Sequence, residues 1–154
     1  MDSDEKWMHM AIEQAKRAAE LGEVPVGAVA VRDGLIIGTG FNRKESDQDP
    51  TAHAELLALR RAAAYLDNWR LIGVTLYCTL EPCPMCAGAM IQARLERLVY
   101  GAADTRFGAD GTVLDVLGEP AFNHQVAVER GVLAAEAADL MQQFFRSLRQ
   151  SREG

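Results

Sequence analysis

Apolar residues recur at two different periods along this chain, and the changes of period mark out its elements. Trp7, Ala11, Ala15, Ala18 and Ala19 fall at helical spacing, with Met8 and Ile12 widening the stripe. Ser3 stands where such a helix needs its N-cap, Asp4 and Glu5 suit its positive end, and Gly22 closes it. Two β-like runs follow, Val26 to Val31 and Leu35 to Phe41, separated by Arg32, Asp33 and Gly34. An Asp-Gly step between apolar runs predicts a hairpin. Residues 42–51 are polar and read as a loop, in which Asp49 and Pro50 resemble the N-cap and first position of a second helix over about 50–64. The pattern then predicts a strand over 74–78, a third helix opened by Pro82 and Pro84 and reaching about residue 94, and a short strand over 97–100. After an irregular stretch at 101–112, a last helix over 132–148 places Leu133, Ala137, Leu140, Met141, Phe144 and Leu148 on one face.

Helices alternating with strands predict an α/β layered fold with a hairpin at one edge. The 154 residues contain no repeat, low-complexity tract or linker, so a single domain over 1–154 is expected. The composition, 49% hydrophobic, allows a core without disulfide staples. An acidic N-terminus does not resemble a signal peptide, and no apolar run approaches the roughly 20 residues of a bilayer span. A soluble cytoplasmic protein without membrane contact is the expectation. The net charge of −6 argues against a nucleic-acid partner when taken alone. That charge is unevenly spread, because Arg146, Arg149 and Arg152 face only Glu153 in the last stretch. Overall acidity therefore leaves room for a local basic surface.

The candidate chemistry lies in Thr-Ala-His-Ala-Glu at 51–55 and Glu-Pro-Cys-Pro-Met-Cys at 81–86. Cys83 and Cys86 are three apart, which places them on one face at a helix start, where the dipole favours thiolates. Two thiolates and the His53 imidazole suit zinc, and three protein ligands leave a fourth position for water. Zinc would lower the pKa of that water towards neutrality. Glu55 is the candidate proton shuttle, although on a regular helix positions i and i+2 point to different sides, so spacing alone does not bring Glu55 to the metal. The same Cys-x-x-Cys spacing also serves redox pairs and closed structural zinc sites. A closed site would need Cys78 as fourth ligand, yet Cys78 lies in an apolar β-like run and, with Leu76, is expected to face the core. A redox pair would leave His53 and Glu55 without a role. His9 reads as surface or core, and His124 as either structural or substrate-facing.

His-x-Glu followed by Pro-Cys-x-x-Cys is the signature of zinc deaminases acting on nucleobases. The match extends further, to Glu-Val-Pro-Val-Gly-Ala-Val at 23–29, Phe-Asn-Arg at 41–43, Asp-Pro-Thr-Ala-His-Ala-Glu at 49–55 and Thr-Leu-Glu-Pro-Cys-Pro-Met-Cys-Ala-Gly-Ala-Met-Ile at 79–91. Tyr-Gly-Ala at 100–102, Asn-His at 123–124 and Phe-Phe-Arg at 144–146 complete it. On these motifs the chain resembles the bacterial tRNA-specific adenosine deaminases, which make inosine at the wobble position. The resemblance implies a three-layer α/β/α cytidine-deaminase-like fold around a mixed five-stranded sheet, one zinc per subunit, a homodimer, and a tRNA anticodon stem-loop as partner. It implies His53, Cys83 and Cys86 as metal ligands, Glu55 as shuttle, Asn42 on the target nucleoside and Asp104 near the substrate backbone. Asn123 and His124 would lie by the anticodon loop, and Phe145, Arg146 and Arg149 would pack on the flanking nucleotides. Phe107 departs from the family pattern. Read from the helix alone, Phe144 belongs to the core and Phe145, off the apolar stripe, is free to stack on a base. The rival readings are a related deaminase acting on free bases and a non-enzymatic zinc module.

Overall fold

The structure is a computed structural model that describes residues 3–153. Its first helix, α1 (Asp4–Glu20), begins where Ser3 accepts a hydrogen bond from the Lys6 N–H and ends at Leu21 and Gly22. The hairpin joins β1 (Gly27–Arg32) to β2 (Leu35–Phe41). Asp33 and Gly34 both have positive φ, 52° and 74°, as a two-residue turn matched to strand twist requires. Next come α2 (Ala54–Leu66), β3 (Thr75–Leu80), α3 (Pro84–Gln92), β4 (Arg97–Ala102), β5 (Ala127–Arg130) and α4 (Ala134–Glu153).

The strands form one mixed sheet in the order β2-β1-β3-β4-β5. β1 is antiparallel to both β2 and β3, while β3–β4 and β4–β5 are parallel. Successive side chains of a strand point to opposite faces, and here both faces are covered. Ala28, Ala30, Leu76, Cys78, Leu98 and Tyr100 pack against α2 and α3. Val29, Val31, Tyr77 and Val99 pack on the other side against α1, with Leu133 and Leu140 of the α4 region. The result is the expected three-layer α/β/α arrangement. Cys78 is fully buried beside Leu76, on the core side.

Two boundaries differ most from the sequence expectation. The second helix starts at Ala54, not Pro50, because the Asp49 carboxylate accepts bonds from the N–H and hydroxyl of Thr51 and closes a separate turn. The last helix continues to Glu153, and Leu148, expected on its apolar face, is exposed. Strand β5 follows no visible periodicity; Ala127 and Glu129 are exposed, and its place comes from pairing with β4.

The N-terminal helix is fastened to the sheet by a charge-assisted pair. Arg97 donates twice to Asp4, at 2.8 and 2.6 Å, and the Tyr77 hydroxyl donates to the same carboxylate. The Arg97 bond, aided by Tyr77 and outweighing burial, holds the Asp4 carboxyl below its usual range. A carboxylate lowered on folding stabilises above its unfolded pKa and ceases to as pH falls through the folded value. Asp4→Asn is therefore expected to cost about 2 kcal/mol at neutral pH. In chemical denaturation series the difference from the native chain should vanish below about pH 3.

Candidate active site

Antiparallel β1 and β2 bring Gly27 opposite Phe41, and the Gly27 N–H donates to the Thr79 hydroxyl near the end of β3. The starts of α2 and α3 and the loops after β2 and β4 therefore meet at one end of the sheet. Gly40 lets α2 lie close there; a Cβ at this position would fall 2.4 Å from the Ala54 carbonyl oxygen. Both helices thus direct the positive ends of their dipoles into the same corner.

His53 is the N-cap of α2 and Cys83 the N-cap of α3, both with extended backbone, and neither makes a side-chain capping bond. Pro84 holds the first helical position, so Cys86 lies one turn on, facing inwards and fully buried. His53 Nδ1 lies 3.6 Å from Cys83 Sγ and 3.5 Å from Cys86 Sγ. Tetrahedral zinc, with bonds of about 2.3 Å to sulfur and about 2.0 Å to nitrogen, separates such atoms by about 3.6 Å. The donor set therefore fits zinc in both chemistry and spacing. Among the described residues it is the one such group of three or more His, Cys, Asp and Glu side chains, and Cys78 is not in it.

Because His53 precedes the helix in extended conformation, the objection that positions i and i+2 diverge does not apply to His53 and Glu55. Glu55 is 4% exposed, and His53, Cys83 and Cys86 are the ionisable groups that act on its carboxyl. Burial raises its pKa, and its own backbone N–H, His53 and Cys86 only partly offset this, leaving it at about 7. The hydrogen bond from Cys86, then that with His53, pulls the Cys83 thiol down to about 4. Cys86, sharing that bond and buried, is pushed well up, and the bond to Cys83 raises His53. A cation between them would take the place of the shared protons.

Buried carboxylates hold the two loops that flank this group. Glu23 accepts from the Glu45 and Ser46 N–H groups in the loop after β2, and Glu81 from the loop after β4. Asp110 takes the Tyr100 hydroxyl at 2.9 Å and both arms of Arg130. Sequence reasoning gave none of these a role. For Glu81 a signal existed, a charged residue between an apolar strand and the Pro-Cys motif.

The pattern of the MafB19-like deaminases matches residues 2–149. A tRNA-specific adenosine deaminase of Bacillus subtilis is 48% identical over 99% of this chain and 95% of its own length. The belongings of the fold agree: a tRNA:A34 deaminase solved in a study of A-to-I editing at the wobble position superposes with a TM-score of 0.84 and 41% identity, over 88% of this chain and 98% of that one. The chain belongs to the tRNA-specific adenosine deaminase family. The guanine deaminase of Nitrosomonas europaea is more distant, at 26% identity and a TM-score of 0.77, over 94% of this chain and 85% of that one.

With the family known, the remaining expected residues of this tRNA deaminase relative fall into three groups. Asn42 lies at the site end of the sheet, where its amide donates to the Val24 carbonyl and its side-chain oxygen accepts from the Lys44 N–H. Asp104 is also there, capping the following turn by accepting from the N–H groups of Arg106 and Phe107. Phe145, Arg146 and Arg149 line one groove of about 460 Å³, joined by Arg106, which sequence reasoning missed. Phe144 is half-buried, not in the core, and meets Phe145 edge-on at 5.4 Å. Asn123 and His124 are not brought to this end. His124 Nε2 bonds the Leu95 carbonyl at 2.7 Å, before the start of β4 and roughly 20 Å along the strand from the metal group. His124 is half-buried, and Asn123 beside it is exposed.

Proposed function

We propose that this protein hydrolyses the wobble adenosine of a tRNA anticodon loop to inosine, releasing ammonia, as one deaminase domain holding one zinc per chain. The observation that carries the reading is the open His53-Cys83-Cys86 group, with buried Glu55 against it and an arginine-lined groove at the same end of the sheet. The names of the relatives at 48% and 47% identity, from Bacillus subtilis and Haemophilus influenzae, support the substrate.

His53, Cys83 and Cys86 would hold the zinc. When bound, the ion would supply Lewis acidity that activates water near neutral pH. Glu55 accepts one proton of the attacking water and delivers it to the ring nitrogen, then carries the second, from the hydroxyl left on the carbon, to the departing amine. A carboxyl group near pKa 7 in a dry site can exchange that proton in both directions. The target base must leave its stack, which costs little in an unpaired loop. Asn42 and Asp104 are proposed to border the extruded nucleoside. Phe145 stacks on a neighbouring base while Arg106, Arg146 and Arg149 take phosphates. Asn123 and His124, at the far end, have no part in this account of one chain's site.

A purified sample should release ammonia from an anticodon stem-loop in preference to free adenine, guanine or cytosine. Equal or faster reaction on free bases would favour the guanine-deaminase type of activity. Arg146→Ala with Arg149→Ala is expected to raise KM for the stem-loop about tenfold or more and to flatten its salt dependence. KM measured at several salt concentrations checks both effects.

We read the apolar groove between α2 and α3, lined by Leu56, Leu59, Ala63 and the 55%-exposed Trp69, as the homodimer face. Light scattering should then give twice the 16.8 kDa chain mass. No described helix is long and apolar enough to cross a membrane, and a cytoplasmic location is proposed with the tRNA substrate.

A further inference from the structure

Glu81 is 1% exposed, and a buried carboxylate is costly unless its oxygens are satisfied. Every donor it finds comes from one loop. Its Oε1 accepts from the Asp104 N–H at 3.1 Å and from the Thr112 hydroxyl; its Oε2 accepts from the N–H groups of Asp110 at 2.8 Å and Thr112 at 3.4 Å. These bonds, with burial opposing them, leave the carboxyl below its usual range. The Ala109 N–H donates to the Pro82 carbonyl, so the loop is joined to the residue before ligand Cys83 as well. Gly108 lies so close that a Cβ would stand 2.5 Å from both the Glu81 carboxyl carbon and the Asp104 carbonyl oxygen. With its oxygens taken, Glu81 is neither a metal ligand nor a proton carrier here.

The loop it holds has an outward consequence. Asp104, fixed through its N–H to Glu81, in turn fixes the N–H groups of Arg106 at 2.9 Å and Phe107 at 3.2 Å. Arg106 reaches the groove of Phe145 and Arg146, and Phe107 stands 62% exposed. An exposed aromatic ring on the residue after a groove-lining arginine suits an unpaired base, because stacking needs only a π-face.

We propose that Glu81 is a positioning residue for RNA binding: its buried carboxylate ties the 104–112 loop to the strand end bearing the metal ligands, and so presents Arg106 and Phe107 to the nucleotides flanking the target. The inference rests on the RNA reading above. In Glu81→Gln the shape is kept, but the amide nitrogen faces N–H donors and releases one side of the loop. This variant is expected to keep one zinc per chain and kcat within about threefold, while KM for an anticodon stem-loop rises about tenfold. Phe107→Ala is expected to raise KM similarly and Phe107→Tyr to restore it. The Glu81→Gln, Phe107→Ala double variant should fall short of the product of the single effects, because the two act through one loop. An unchanged KM in Glu81→Gln, or a loss confined to kcat or zinc content, would overturn the proposal. If Glu81→Gln does not fold, Thr112→Val removes the hydroxyl donor alone; a KM rise of about threefold supports the role and no rise overturns it. Failure of the unmodified protein to deaminate the stem-loop would instead sink the RNA reading itself.

Discussion

Glu55→Gln is expected to bind zinc at native stoichiometry while turnover falls by about 10³-fold, a typical share for a positioned acid–base group. The size of the effect follows from where Glu55 stands. It is the second residue of α2, two after the helix N-cap His53, and is excluded from water at the same corner as Cys86. Burial places it at about pKa 7, the range in which one carboxyl both takes and returns a proton. Glutamine keeps the volume and the polar contacts but carries no exchangeable acid proton. Because the ligands are untouched, metal analysis and thermal stability should match the native chain. Single-turnover rates near the native value would refute the shuttle role.

The second large effect is expected at the ligands. Cys86→Ser should lose zinc and turnover together, with activity below about one part in 10³, since a serine hydroxyl does not ionise readily enough to replace a thiolate. Cys86 is the stricter test than Cys83 because it is fully buried and water has little room to stand in for it. Cys78→Ala provides the contrast. Cys78 sits on β3 among core residues and outside the three-residue donor group, and its thiol is pushed well above its usual pKa by burial. It should keep full zinc occupancy and activity. Zinc loss in Cys78→Ala would restore the closed, non-catalytic site that the spacing of the cysteines also permits.

The parts of this architecture that sequence revealed are those written in local chemistry. Asp33-Gly34 specifies its own turn, so the hairpin was legible to the residue at β2. Ser3 and Gly22 bracket α1 for the same reason. Asp49 misled because its capping chemistry is real but is used within a short turn ending at Thr51. That displacement matters, because it places His53 outside the helix and removes the angular conflict with Glu55. Strand β5 was not legible, since its position depends on pairing with β4 rather than on alternation along its own residues. Glu23 was silent, and for Glu81 only its place between an apolar strand and the Pro-Cys motif was visible: the partners of both lie more than twenty residues away. His124 illustrates the converse limit. Its type allowed two roles, and its hydrogen bond to Leu95, 29 positions earlier, is one that no local pattern announces.

The central claim is that this site acts on adenosine in tRNA. It is tested most directly by mapping inosine in total tRNA incubated with the purified protein. The account predicts inosine at the wobble position of one or a few anticodon loops, and none in parallel samples with Glu55→Gln. Native protein that leaves every tRNA unchanged while releasing ammonia from free bases would contradict it.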